Sequence, residues 1–248
     1  MGELEGFYAL WYRELKVFTR ERSRVVSSLI TPLLWIIVFG GGLGSAVSLG
    51  GVNYQVFIFP GILAMTIMFS SIFFGLYIVW DRKIDFFKEV LVAPLSRVTI
   101  FAGKMVGGCT DALLQGSAML LFGVALGVKY NLLVLLLSFL FLFVLASALV
   151  SLGLIIGANM ESPEGFQLIV SFLIFPMFFF SGALFPIDNL PHYLLVVTML
   201  DPVTYAVDGL RGLLLGSSQL PIALNLAILT AFAALMVGIG TWSFKRLK

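Results

Sequence analysis

The sequence predicts an all-α, polytopic membrane protein with six transmembrane helices. Three observations predict it: composition, the length of the apolar runs and the placement of the basic residues. Of 248 residues, 60% are hydrophobic and 11% charged, and the mean hydropathy is +1.07. Soluble domains carry about 25% charged residues, so this chain cannot cover its surface with polar groups in water, and lipid is its solvent. Six runs reach the roughly 20 apolar residues a spanning helix needs. They are continuous and do not alternate in polarity over about ten residues, which argues against a barrel.

The first 24 residues differ from the rest. Leu4, Phe7, Tyr8, Trp11, Leu15 and Phe18 recur at three- and four-residue spacing, with Arg13, Glu14, Lys16, Arg20 and Glu21 on the remaining face. That pattern predicts an amphipathic interfacial helix over 1–24, its aromatic side in the acyl boundary. The segment has neither an apolar h-region nor an A-x-A-like site, so no cleavable signal peptide is expected. Residues 25–248 form the transmembrane domain, with spans at about 25–45, 56–80, 105–128, 132–157, 166–187 and 221–244. With both termini cytoplasmic, thirteen of the fifteen basic residues fall on the inner side, and only Lys129 and Arg211 fall opposite. The positive-inside rule thus fixes the topology. The inner loop NMESPEGFQ, short and without a base, is the exception.

The outer stretch 188–217 is apolar yet broken by Pro191 and Pro202. Asp201 before Pro202 reads as an N-cap with proline at the first helical position, and Gly216 reads as a stop. The 14 or so residues between them span roughly 21 Å, too short for a hydrocarbon core of about 30 Å. Re-entrant outer helices over 188–217 are therefore predicted before the last span. Asp208 and Arg211, at i and i+3, are expected to pair and lower the cost of charge at that depth.

Little in the sequence points to catalysis. His192 is the only histidine and Cys109 the only cysteine, and there is no G-x-x-x-x-G-K-[ST] phosphate loop. An intramembrane serine nucleophile would need a His or Lys at membrane depth, and none is available. The spans' serines are expected to bond back to helix carbonyls. Asp111 is the one carboxylate inside a predicted span, about two turns from Lys104. It is expected to be structural, pairing with a base or capping a helix; a proton- or ion-coupled role is the competing reading. Glycine pairs at 103/107, 123/127 and 153/157 allow close helix approach, and Pro176 is expected to kink its span.

Two inner connections stand out. In DRKIDFFKEVLVAPLSR, Phe86, Phe87, Val90 and Leu91 share one side of a short helix, with Asp85, Lys88 and Glu89 around it. Pro94 should stop that helix near Val92. In the second, Ser162, Pro163 and Glu164 read as N-cap, first-turn proline and an acid suited to the positive helix end, just after Glu161. Each loop thereby offers a short helix as a docking surface.

Three stretches carry a resemblance. EVLVAPLSRVTIFAGK (89–104), SGALFPIDNLPHYL (181–194) and DPVTYAVDGLRGLLLG (201–216) resemble the permease subunit of type 2 ABC exporters, the family of daunorubicin-type drug, nodulation-factor and O-antigen or teichoic-acid exporters. The likeness covers nearly the whole chain. It implies a non-enzymatic permease subunit in the plasma (inner) membrane that moves an amphipathic drug, lipid or lipid-linked glycan. It further implies a homodimer, or a dimer with a closely related permease, working with a separate ATPase subunit that holds ATP and Mg. The chain itself would bind no cofactor; lipid is an expected partner and nucleic acid is not. The first coupling helix would fall at Asp85–Val92 and the second contact at Glu161–Phe166. The alternatives are an ion- or proton-coupled secondary transporter using Asp111 and, third, a membrane enzyme or assembly factor.

Overall fold

The computed structural model describes residues 2–43, 53–187 and 190–247. Eleven helices, and no strand, occur among them: α1 (Glu3–Arg20), α2 (Arg22–Leu43), α3 (Tyr54–Phe73), α4 (Leu76–Lys83), α5 (Phe86–Val92), α6 (Arg97–Ala125), α7 (Leu132–Asn159), α8 (Pro163–Phe180), α9 (His192–Leu200), α10 (Pro202–Leu215) and α11 (Ile222–Lys245). Among these residues, six spans are long and apolar enough to cross a membrane: α2, α3 with α4, α6, α7, α8 and α11. The chain is a multi-pass, all-α membrane protein. The predicted last residues of the first span (44–45), the start of the outer segment (188–189) and Lys248 lie outside the described residues.

Helix α7 is the hub, packing on α3, α6, α10 and α11. Its close approach to the second span depends on missing side chains. A Cβ on Gly153 or Gly157 would overlap the carbonyls of Ile72 or Gly75. There the second span breaks at Phe74–Gly75 into α3 and α4. Gly123 likewise makes room, since a Cβ there would overlap the Tyr130 hydroxyl and the Phe59 ring of α3, whereas Gly127 takes φ 85° in the turn that ends α6. Helix α6 starts at Arg97, earlier than the predicted 105, because Ser96 N-caps it by accepting from Thr99 N at 3.1 Å. Its 29 residues reach about 43 Å, longer than a core of about 30 Å. Helix α8 stops at Phe180, short of the predicted 187, where Ser181 and Gly182 (φ 70°) turn the chain. Ser117, Ser147, Ser151 and Ser181 donate to carbonyls of their own helices.

Helices α9 and α10 meet at 90°. Asp201 Oδ1 accepts from Val203 N at 2.9 Å, Pro202 occupies the first turn, and Gly216 closes α10 with φ 73°. The 14-residue α10 is too short to cross alone.

The alternating spans gather two sets of ends. One, here the basic end, unites α1, α4, α5 and the C-termini of α7 and α11. The far end unites the start of α3, the residues after α8, α10 and the start of α11.

Candidate functional site at the basic end

Helix α1 runs alongside the first turns of α6, in the same direction. Its seam toward the protein is Gly6, Leu10, Glu14 and Phe18, four residues apart. Gly103 and Gly107 of α6 make room, since a Cβ at either would press on Leu10 or Glu14. Trp11 Nε1 donates to Thr110 Oγ1 at 3.0 Å. At the first turn, Glu3 accepts from Ser96 N at 2.9 Å and from the Ser96 and Thr99 hydroxyls. These bonds hold the Glu3 carboxyl below its ordinary pKa, Thr99 contributing most. This divides the predicted apolar face. Phe18 turns inward, whereas Leu4 and Tyr8 are exposed.

Glu14 also departs from the sequence reading, which placed it on the polar side. It is 1% exposed and joins a buried cluster with Asp81 of α4 and Lys104 of α6, itself 0% exposed. Lys104 Nζ lies 3.0 Å from Glu14 Oε1 and 2.7 Å from Asp81 Oδ2. Arg13 grips Asp81 with both terminal nitrogens, at 2.6 and 3.2 Å, and reaches Glu14 at 2.8 Å. Two cations thus balance two anions across three elements, which is what keeps buried charge tolerable. Burial opposes the charge on Arg13, but the hydrogen bonds and negative charge of Asp81 and Glu14 outweigh it and raise its pKa. The same guanidinium sits 4.1 Å from the centroid of the Phe86 ring on α5, a cation–π contact. The cluster therefore ties α1, α4, α5 and α6 together.

The short helix in the first connection spans Phe86–Val92, and Phe86, Phe87, Val90 and Leu91 do not face outward as docking groups. Phe87 and Val90 are buried in this chain's own core, Phe87 edge-on to Phe244 of α11, while Phe86 lies half-buried under Arg13. Leu91 is half-buried as well. This corrects the expected docking face: the aromatic pair anchors α5 because the C-terminus of α11 lies beneath it. The outward face is Ile84, Asp85, Lys88, Glu89 and Val92, with Ile84 69% and Val92 85% exposed. Asp85 enters α5 with φ 57°, a conformation aspartate tolerates better than most residues, and pairs with Lys88 at 2.6 Å.

The second connection is bound to the first. Arg82 of α4 donates to the carbonyls of Ala158 (2.7 Å) and Met160 (3.1 Å) at the C-terminus of α7. By sequence alone Arg82 is simply one of the thirteen basic residues on the inner side. Ser162 Oγ accepts from Gly165 N at 3.0 Å, and Pro163 and Phe166 are buried. Glu161 and Glu164 are exposed on the same end.

The remaining candidates lie elsewhere. Asp111 is buried in α6, while the Lys104 ammonium is bound by Glu14 and Asp81. At the far end Asp208 and Arg211, expected to pair, are both buried, and each makes bonds outside α10. Asp208 accepts from Gln219 N (2.8 Å), Leu220 N (3.0 Å) and Asn225 Nδ2 (2.7 Å), because the chain after Gly216 folds back over it. Arg211 donates to the Gly182 carbonyl at 2.8 Å and lies 4.3 Å from the centroid of the Phe57 ring.

Six spans joined at one end by charged contacts, with short surface helices at that end, define a multi-pass membrane protein. Residues 5–215 match the family model described as ABC-2 type transporter, and the chain belongs to that family, as the membrane subunit of an ABC transporter. It is 32% identical over 222 residues to ycf38 of Cyanophora paradoxa, which bears a transport-permease name, covering 88% of this chain and 77% of that one. It is 29% identical to the inner membrane transport permease YadH of Escherichia coli K12 (90% and 88% covered). With nodulation protein J of Rhizobium leguminosarum bv. viciae the identity is 26% (97% and 94% covered). The family implies an ABC ATPase as partner.

Proposed function

We propose that the chain is the passive gate of an exporter, moving an amphipathic drug, lipid or lipid-linked glycan with ATP split by a separate subunit. ATP and Mg would be held by that subunit. The basic end would face the cytoplasm of the plasma membrane with both termini inside, as the positive-inside rule supports. The exposed side of α1, with Leu4 and Tyr8, would rest in the interface. The observation that carries the reading is that α5 is exposed on one face and welded to span ends on the other. A push on Asp85, Lys88 and Glu89, or on Glu161 and Glu164, would pass through Phe87–Phe244, Arg13–Asp81 and Arg82–Ala158 into α11, α1, α6 and α7. Such a rigid-body shift suits a gate opened from one side. A second copy, or a related permease, would cover part of the apolar flanks of α2 and α8, the latter bearing exposed Leu168 and Phe172.

The test reverses the outward charges. In vesicles holding the permease with its ATPase, Lys88→Glu with Glu89→Lys should abolish nucleotide-driven transport while assembly in the membrane persists. Transport at the wild-type rate would discard α5 as the contact. Transport without nucleotide that collapses with the proton gradient, and is lost in Asp111→Asn, would instead establish the secondary-transporter reading.

A further inference from the structure

A cavity of about 240 Å³ opens between α2, α3 and α6; its surface is largely apolar, with hydroxyl and amide groups set into it. Six hydrogen-bonding side chains line it: Ser27, Ser28 and Thr31 of α2, Thr66 and Ser70 of α3, and Gln115 of α6. At membrane depth polar groups are costly and mark pathways or partners. Helix packing accounts for part of this set. Ser28 and Thr66 donate to carbonyls of their own helices, and Gln115 Nε2 donates to Ser70 Oγ at 2.7 Å. Those bonds still leave hydroxyl lone pairs and the Gln115 Oε1 as acceptors toward the space they line. Gln115 is buried, so this acceptor faces neither bulk water nor open lipid.

Three features define what would fill the space. No lining side chain carries a formal charge, so neither a phosphate nor an ammonium finds a counter-ion there. The volume falls below the roughly 300–1,000 Å³ of pockets that enclose a drug-sized ligand, so it suits a head group. Ser27 and Thr31 are exposed along the flank of α2, so the cavity opens at the surface of this chain, and a tail can extend out of it there. The rings of Phe69 and Phe73 supply flat apolar walls. Phe73 also lines a second cavity of about 560 Å³ toward the basic end, walled by Leu76, Tyr77 and Trp80. We propose that the cavity between α2, α3 and α6 binds the uncharged, hydroxyl- or amide-bearing head group of an amphiphile. The inference rests on the exporter reading and narrows its cargo class.

The test uses the full chain in phosphatidylcholine nanodiscs, without ATPase or nucleotide. Three probes share one tail: octyl glucoside, octyltrimethylammonium and octyl phosphate. Bound probe is counted by native mass spectrometry. The glucoside should be held in preference to both charged probes, and Gln115→Leu should weaken it about three- to tenfold, the value of one hydrogen bond. Gln115→Glu should shift preference to octyltrimethylammonium, which a merely structural glutamine would not do. Should Gln115→Leu fail to fold, Thr66→Val, which keeps the shape, should still weaken the glucoside. Equal retention of all three probes by the native chain, or undiminished glucoside binding in the folded variants, overturns the proposal. Because no nucleotide is present, that failure leaves the charge-reversal result on α5 untouched, and the two readings fall separately.

Discussion

Charge is buried at both ends of this bundle, and the two ends handle it differently. At the basic end, Lys104, Glu14, Asp81 and Arg13 neutralise one another across α1, α4 and α6. At the far end, Asp208 is held by two backbone amides and an asparagine, and Arg211 takes a carbonyl and an aromatic face. Ion pairs between elements bind movable bodies to each other, and such pairs exchange partners without rebuilding backbone. Amide-to-carboxylate bonds instead fix the path of one loop, here Ser217–Leu220 over α10. The first arrangement suits a joint that transmits motion, the second a seal.

The largest expected effect comes from removing the shared cation. Lys104→Met leaves Glu14 with half-buried Arg13 for charge, and strips Asp81 of its 2.7 Å lysine contact. Breaking a buried pair costs about 3–5 kcal/mol, so thermal unfolding in nanodiscs should fall steeply or the chain should fail to insert. Adding Glu14→Gln should recover much of the loss, because Arg13 still holds Asp81. An unchanged melting point in Lys104→Met would show that the cluster is not a joint.

Next comes the seal. Asp208→Leu removes the acceptor of Gln219 N, Leu220 N and Asn225 Nδ2 together. Hydrogen bonds to a charged group contribute about 1.5–3 kcal/mol, and the loss should appear as faster proteolysis within 217–220. Protease sensitivity like the wild type would mean the loop is held by other contacts.

This contrast also marks what the sequence makes legible. The spans, the N-cap at Asp201–Pro202 and the stop at Gly216 are local signals, each written within a few residues of where it acts. So is the end of α5 at Val92, two residues before Pro94. The ion cluster is not local: Glu14, Asp81 and Lys104 are far apart in the chain, and nothing in a one-dimensional pattern pairs them. On α1 the aromatic stripe was the louder periodicity, yet the seam at Gly6, Leu10, Glu14 and Phe18 is the one that packs. A glycine and a glutamate hide it from a hydrophobicity count. The matching signal was present in Gly103 and Gly107, whose spacing equals that of Leu10 and Glu14, but it becomes specific only once α6 and α1 are known to lie together. The Phe86–Phe87 pair misled for a related reason. Paired aromatics on a surface helix can grip a partner or their own chain, and the choice depends on Phe244, more than 150 residues away.

A double-mutant cycle measures the contrast directly, with smaller numbers. Arg13→Ala with Asp81→Asn should show coupling of about 1–3 kcal/mol in unfolding experiments, as for residues sharing a salt-bridge network. The same cycle on Asp208 and Arg211, one turn apart on α10, should give less, about 0.2–0.5 kcal/mol as for an i,i+3 charge pair. Equal couplings would erase the distinction between joint and seal.

The smallest effect concerns how α1 is fastened at its first turn. Glu3 is exposed, so its contribution is modest, but it accepts from both Ser96 and Thr99 at the start of α6. Those bonds are stronger to the carboxylate than to the protonated acid, and so they hold its pKa below the ordinary 4.5. Stability from a depressed carboxyl is complete above its unfolded pKa and is lost as pH falls through the folded one. Spin labels at Leu4 and Val98, both exposed, should therefore keep one separation above about pH 5, and that separation should widen as pH drops below 4.5. Glu3→Gln should show the wider separation at every pH, with no transition in that window. If the native protein and Glu3→Gln follow the same pH curve, α1 is held by its seam on Gly103 and Gly107 alone, and the first turn is free to move with whatever docks beside α5.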